Sequence, residues 1–454
     1  MNCIMRVLSG AAQLTVVVSF LFVIDVRAVT FTNLYIFSAD NGGTNVDGVS
    51  PDSVVLSGNT LYGTTESGGL NGDGTVFRVD VDGQHFTNLF NFYRGTFDSG
   101  SGTYPDSTGM DPNPGLLLIS NTLYGTTFYG GLLHAGTVFK INTDGSGFGL
   151  IKSFAFTNGQ APSSGLTLFN NALYGTTTGG GTNQSGTIFR IDLSGLGFSK
   201  LFDFDNNADT YGGVVVYSNA LYGFARFGEP TFGYVYRYVP GGAMTHILDF
   251  DGTNASRPYS TPTLSGNTLF GISFQGGTNG AGNIFRLDTD GLHYTNLFSF
   301  DNNTAGASPV DLAGMVLVGN TLYGTASGSG SGGRGTVFQI NTDGSGFAVL
   351  HSFQFSDGAN PESLLVSNGT LYGMTQYGIH GSSLGNGAVY SIILQPSIKI
   401  ALSGNHVVLS WNDPSFFLYN TPTVPNTFTK IIGAASPYNY TLTNNQRFFE
   451  LRSN

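Results

Sequence analysis

Cysteine is all but missing from this chain: Cys3 is the only one in 454 residues. No intramolecular disulfide can form, and no thiolate cluster can hold zinc. Charge is scarce too, at 10% of residues against a usual quarter. Glutamate is limited to Glu66, Glu229, Glu362 and Glu450, and tryptophan to Trp411. Acid–base chemistry would therefore fall mainly to aspartate. With 17 Lys and Arg against 28 Asp and Glu, the net charge is −11, and the basic residues are scattered. That distribution argues against nucleic acid or anionic lipid as the main partner. Also missing are H-E-x-x-H, G-x-S-x-G and the phosphate-cradling G-x-x-x-x-G-K-S/T. The histidines do not cluster at metal-ligand spacing, so the sequence implies no catalytic triad, metal or cofactor.

Long apolar runs are likewise few. The one that stands out is "LTVVVSFLFVI" (Leu14 to Ile24), after Arg6 and before the small-residue stretch "VRA" ending at Ala28. This is the layout of a secretory signal peptide over residues 1–28, with Val29 as the first mature residue. An uncleaved anchor is the alternative reading, but the run is shorter than a span of about 20 residues. After cleavage no transmembrane segment is expected. The implied location is extracellular or on the outer cell surface.

What is abundant is glycine (67 residues) and aromatic side chain (13%). A disordered chain would lack the aromatics. The sequence instead predicts an all-β protein built from repeats. The stretch "NTLYGTT" at Asn59 returns in near-copies whose aromatic falls at Tyr62, Tyr124, Tyr174, Tyr222, Phe270, Tyr323 and Tyr372. A period near fifty residues suits a four-stranded propeller blade. Each copy reads as a short apolar strand, a two-residue turn rich in Asn and Gly, and then the "LYGTT" strand. A Gly-Gly loop leads to a third strand such as "GTVFRV" at Gly74, and a fourth such as "FTNLFNF" at Phe86 ends the unit. Six complete units supply six fourth strands; the seventh, "FTNLYIF" at Phe31, precedes the first unit. The count predicts a seven-bladed β-propeller over residues 29–395, with the N-terminal strand closing the last blade and removing open sheet edges. An open solenoid is the alternative. The glycine after Tyr is expected to let the next blade's aromatic approach closely.

The pattern "NTLYGTT…GG…GTVFRI…DG…F..LF.F" resembles the GloVer tandem repeat of bacterial choice-of-anchor secreted proteins, and its layout is similar to kelch-type propellers. The resemblance covers about residues 30–395 and implies an exported or surface protein; it carries no catalytic activity with it. Residues 396–454 differ in composition and predict a small C-terminal β-sandwich-like module.

Most repeated polar residues read as structural. The "DVDG" and "DTDG" stretches fit hairpin turns, because the calcium-loop register would put Arg78 or Arg286 at the first ligand position. Asp40, Asp205, Asp251, Asp301 and Asp357 follow fourth strands and read as turn caps. Arg78, Lys140, Arg190, Arg237 and Arg286 read as internal pairing partners. Function is expected where the copies stop agreeing, just after the final threonine of the motif. There the loops carry Phe128, Tyr129, His134, Phe227, Tyr377 and His380, the candidate ligand-binding residues for a glycan or a surface protein. A non-catalytic binding or display role leads. An extracellular hydrolase or lyase with an Asp or metal site at the central channel is the rival, and three or more carboxylates converging there would favour it. A purely structural surface component is the third reading.

Overall fold

A computed structural model describes residues 5–7, 30–38, 45–205, 208–228, 232–301, 314–328, 330–378, 387–394, 398–403, 406–411, 416–422, 429–441 and 447–453. Among these, every helix-or-strand element is a β-strand. Seven small antiparallel sheets, blades I to VII in chain order, form the propeller. In blade I, strand Thr60–Ser67 pairs with Thr75–Asp80, which pairs with Thr87–Asn91. Blade VII takes its outer strand from the other end of the chain: Thr30–Ile36 pairs with Ala388–Ile393. The ring is thus closed by the N-terminal strand, as the strand count predicts. Two further sheets follow the ring, and Val407, Leu409, Leu418 and Phe449 are buried together in this C-terminal part. Strand Met5–Val7 lies at the edge of one of these sheets, against Arg447–Phe449.

The two-residue turns adopt the positive φ that the sequence demands. Asn170 and Asn171 both have it, as do Ser218 and Asn219. The motif strand that follows is buried along most of its length, with Leu61 and Tyr62 in the core. Its second threonine holds the blade's corner. Thr65 Oγ1 lies 2.9 Å from Thr75 Oγ1, accepts the Thr75 N–H and donates to the Ser67 carbonyl. Thr127 and Thr177 stand in the same relation to Thr137 and Thr187.

The glycine after Tyr serves a different neighbour from the one expected. Gly63 faces Phe77 across its own blade's ladder. A Cβ there would stand 2.5 Å from Phe77 Cζ. The bare backbone lets each blade's own third-strand aromatic lie flat over its second strand, and the neighbouring blade meets that ring from the side. The last phenylalanine of every fourth strand supplies the meeting edge. Phe92 of blade I lies 5.1 Å from Phe139 of blade II, and Phe37 of blade VII lies 5.2 Å from Phe77 of blade I, both edge to face. All seven junctions carry such a pair, and all fourteen rings are at most 1% exposed.

The first strands of adjacent blades touch, which puts them at the axis. Gly115 and Gly165 meet backbone to backbone; a Cβ on Gly115 would be 2.5 Å from the Gly165 Cα. In blades I, II, III and V the first strand is broken into two short pieces that pair with the same second strand. Val49–Pro51 and Val55–Ser57 are the pieces in blade I. The residue before each proline has positive φ: Ser50, Asp111, Ala161, Arg257 and Asn360 all stand at 52–55°. Asp209, before Thr210, does the same at 52°. Such a φ is costly for a residue with a Cβ. An inter-blade hydrogen bond offsets it: the N–H of Ala161 donates to Ala135 at 2.9 Å, and that of Asn360 to Arg334 at 3.0 Å.

Phe37→Ala removes a fully buried ring at the closing junction. It should cost about 3–5 kcal/mol, matching Phe92→Ala in urea unfolding; an unchanged midpoint would show that the N-terminal strand does not close the ring. Blade IV carries Tyr236 where most blades have Phe, and its buried hydroxyl has no hydrogen-bond partner. Tyr236→Phe should therefore raise stability by about 1 kcal/mol, read from the same unfolding curves.

Candidate functional site

The broken first strands leave short bulges at the axis, and the second strands end beside them. Together these two features build a cavity of about 320 Å³ across blades VII, I and II. Asp52, Asn113 and Glu362 come from the bulges, each just after the repeated proline, while Asp111 precedes one. Glu66, Phe128 and Gln376 come from the position just after the motif's last threonine or its equivalent, and Tyr129 follows Phe128.

Four carboxyl groups therefore share one cavity, and the surrounding protein raises three of them, Asp52, Glu66 and Asp111. Asp52 is buried; Thr64 Oγ1 donates to its Oδ1 at 2.6 Å, and its backbone N–H donates to the Thr64 carbonyl. Burial raises its carboxyl well above the usual range, and the charge of Glu66 adds to this. Glu66 keeps a face open to solvent, yet the protein around it raises its carboxyl as well. Asp111 is pushed up to about 6, first by burial, then by Glu66 and Asp73, with Arg94 opposing. Asn113 is fixed by donating to Thr126 Oγ1 at 3.1 Å and to the Pro162 carbonyl at 2.6 Å. Carboxyls that favour the neutral form can donate as well as accept, which suits a ligand rich in hydroxyls. Among the described residues, no three His, Cys, Asp or Glu side chains are grouped closely enough to hold a metal ion.

The residues singled out in the sequence fall in three places. Phe128 and Tyr129 wall the cavity, with ring centroids 4.6 Å apart, and Tyr129 is 37% exposed. Tyr377 follows the cavity residue Gln376; burial raises its phenol, with Glu66 and Glu362 adding their charge. His134 sits behind Tyr129, 5.6 Å between centroids, and its Nδ1 accepts the Gly130 N–H at 2.9 Å. That bond commits one ring nitrogen to the loop, and burial lowers the imidazole's pKa. Phe227 lies apart, in blade IV, against Arg226 and Arg257. His380 lies outside the described residues, as does Asp40.

Asp52, Asp111, Asn113 and Glu362 escape a reading of strand periodicity. Proline demotes the three-residue piece before each bulge to a loop. The signal that marks them is the repeated x-Pro-x, whose flanks change from blade to blade: Ser50 and Asp52, Asp111 and Asn113, Ala161 and Ser163, Arg257 and Tyr259, Asn360 and Glu362. Two of the expected turn caps are in place. Asp251 Oδ1 accepts from Thr253 and Asn254, and Asp357 Oδ1 from the Gln354 N–H. Of the third-strand bases, Arg190 pairs with Asp192 at 2.6 Å, and Arg237 Nε donates to the Tyr222 hydroxyl.

A raised carboxyl binds its proton more tightly in the folded chain. Stability is then greatest below the ordinary aspartate range and falls as pH rises through about 6. Thermal midpoints should drop between pH 4 and pH 6.5, and Asp111→Asn should flatten part of that slope. An unaltered slope in this variant would show that Asp111 titrates normally.

The family model described as the Gloeobacter/Verrucomicrobia repeat matches residues 97–238 and 228–406, more than half of the chain. No curated protein matches it. Among solved structures, the GH74 enzyme of Niastella koreensis is 13% identical at a TM-score of 0.50, over 89% of this chain and 60% of that one. A puromycin-hydrolyzing peptidase of Mycobacterium tuberculosis is 11% identical at 0.49, over 85% and 61%. The tricorn protease is 13% identical at 0.39, over 80% and 33%. The chain thus spans a third of the tricorn protease and about three fifths of the other two. At these identities the likeness is one of fold.

Proposed function

The chain belongs to the Gloeobacter/Verrucomicrobia repeat family, and we propose that it is an exported propeller that binds a glycan in the acid-lined cavity of blades VII, I and II. One observation carries this reading: the exposed Tyr129, with the half-buried Phe128, stands beside carboxyl groups whose surroundings raise their pKa. An aromatic face accepts the apolar side of a sugar ring. The carboxyl groups, Asn113 and Gln376 together offer acceptors and donors to its hydroxyls. The signal-peptide layout of residues 1–28 supports export. Cleavage after Ala28 would also remove the Met5–Val7 edge strand.

A second reading is favoured by the carboxylates themselves. Four of them at one cavity is the arrangement that a hydrolase would need, and a carboxyl pushed up to about 6 beside another acid can serve as proton donor near neutral pH. In that case Asp111 is the candidate general acid.

One experiment addresses both. The exported protein is applied to a glycan array, and the best ligands are then titrated against wild type, Tyr129→Ala and Asp111→Asn. Tyr129→Ala should weaken binding by roughly tenfold, and Asp111→Asn should leave binding in place. Release of reducing ends by wild type, abolished in Asp111→Asn, would convert the binder into a hydrolase. An array without a ligand would overturn the glycan reading in favour of a structural surface role.

A further inference from the structure

The ring positions that build the acid cavity recur in the other described blades, and in blades IV and V they carry arginine. Arg226 occupies in blade IV the place of Glu66 in blade I, directly after the motif strand's fifth residue. Tyr211 and Tyr259 occupy the places of Asp52 and Asn113. Arg226 is set among aromatic rings: its Cζ lies 4.3 Å from the Tyr259 centroid, 4.5 Å from Phe227 and 5.4 Å from Tyr211. Its Nη1 reaches Asp209 Oδ2 at 3.2 Å, and the guanidinium also hydrogen-bonds the Tyr211 side chain. Its Nε is buried and has no hydrogen-bond partner. A second guanidinium, Arg257, lies 5.2 Å from the Phe227 centroid. Both clusters occupy equivalent positions of the repeat, so the ring's symmetry puts them at the same end of the axis.

Asp209 engages one end of the guanidinium, the side chain stays partly exposed, and a further acceptor can approach along its open edge. The complementary group is a planar carboxylate, which can take two parallel N–H bonds along that edge. Tyr211 and Tyr259 flank the position and give a sugar ring a surface to lie on. We propose that Arg226, seconded by Arg257, forms a carboxylate subsite for a uronic acid unit of the bound glycan. The inference rests on the glycan reading above and specifies the ligand: an acidic oligosaccharide, with its neutral part at the cavity of blades VII, I and II and a carboxylate at Arg226. The acid-lined cavity would repel a second charged unit, so the charge division orients the chain.

The test uses the exported protein with a neutral oligosaccharide carrying a single terminal glucuronic acid unit and with its methyl ester, in which that one carboxylate charge is masked. Wild type should bind the acid at least about tenfold more tightly than the ester. Arg226→Gln should bring that ratio close to one while binding of the ester persists, and Arg257→Gln, on a less enclosed side chain, should lower the ratio partway. Equal binding of acid and ester by wild type would overturn the subsite and leave the glycan reading standing. Failure of both probes, together with an array lacking any ligand, would overturn both. Glu229 lies outside the described residues but close in sequence. A large gain in acid binding in Glu229→Gln would show that an internal carboxylate already fills the place, and would also overturn the proposal.

Discussion

The edge-to-face aromatic pair at each blade junction is the contact on which this ring depends. One partner is the last phenylalanine of a blade's outer strand, and the other is the third-strand aromatic of the blade that follows. Each pair contributes about 0.5–1.5 kcal/mol beyond the area it buries. Geometry gives it wider reach. The third-strand ring can lie flat only because a glycine stands opposite it in its own blade, so the glycine of the repeat and the phenylalanine of the preceding blade act through one another. With no disulfide in the chain, the aromatics and the shared blade VII are what hold the circle shut.

Much of this architecture is legible in the sequence because it is written seven times. Period, strand order, turn residues and the displaced fourth strand can be read off the repeat without a structure. The partner of the motif glycine is less legible, since periodicity shows that something must approach but not from which strand. The candidate site is legible in part. Phe128 and Tyr129 stand where the copies diverge after the last threonine, and both line the cavity. Asp52, Asp111 and Glu362 are obscured because proline breaks the strand that presents them. A residue at positive φ is also not foreseen where the sequence offers Ser, Asp, Ala, Arg or Asn in place of glycine. Glu66 and Arg226 hide in a different way: each is one charged residue at the end of an otherwise repetitive strand.

Invariance and variation are divided by position across the blade. The outer and middle strands repeat aromatics and glycine, and their work is junction packing. The axis end of the described blades repeats mainly a backbone feature: a positive φ, followed by proline in all of them but blade IV, and then a bulge. Side chains there range from carboxylate to guanidinium to phenol. Rigid packing on the outside therefore supports chemical diversity on the inside, the usual division between a scaffold and the loops it carries.

The positive-φ residue draws this division most sharply. In blades II, III, V and VII its conformation is held by an N–H bond to the previous blade, which does not involve its side chain. The side chain is consequently exchangeable. Among the described residues six blades offer such an address, whose backbone conformation stays the same whatever side chain is installed, and all six face one axis. A lineage that duplicates blades and edits only these addresses can change the charge map of the channel mouth without disturbing a single aromatic junction.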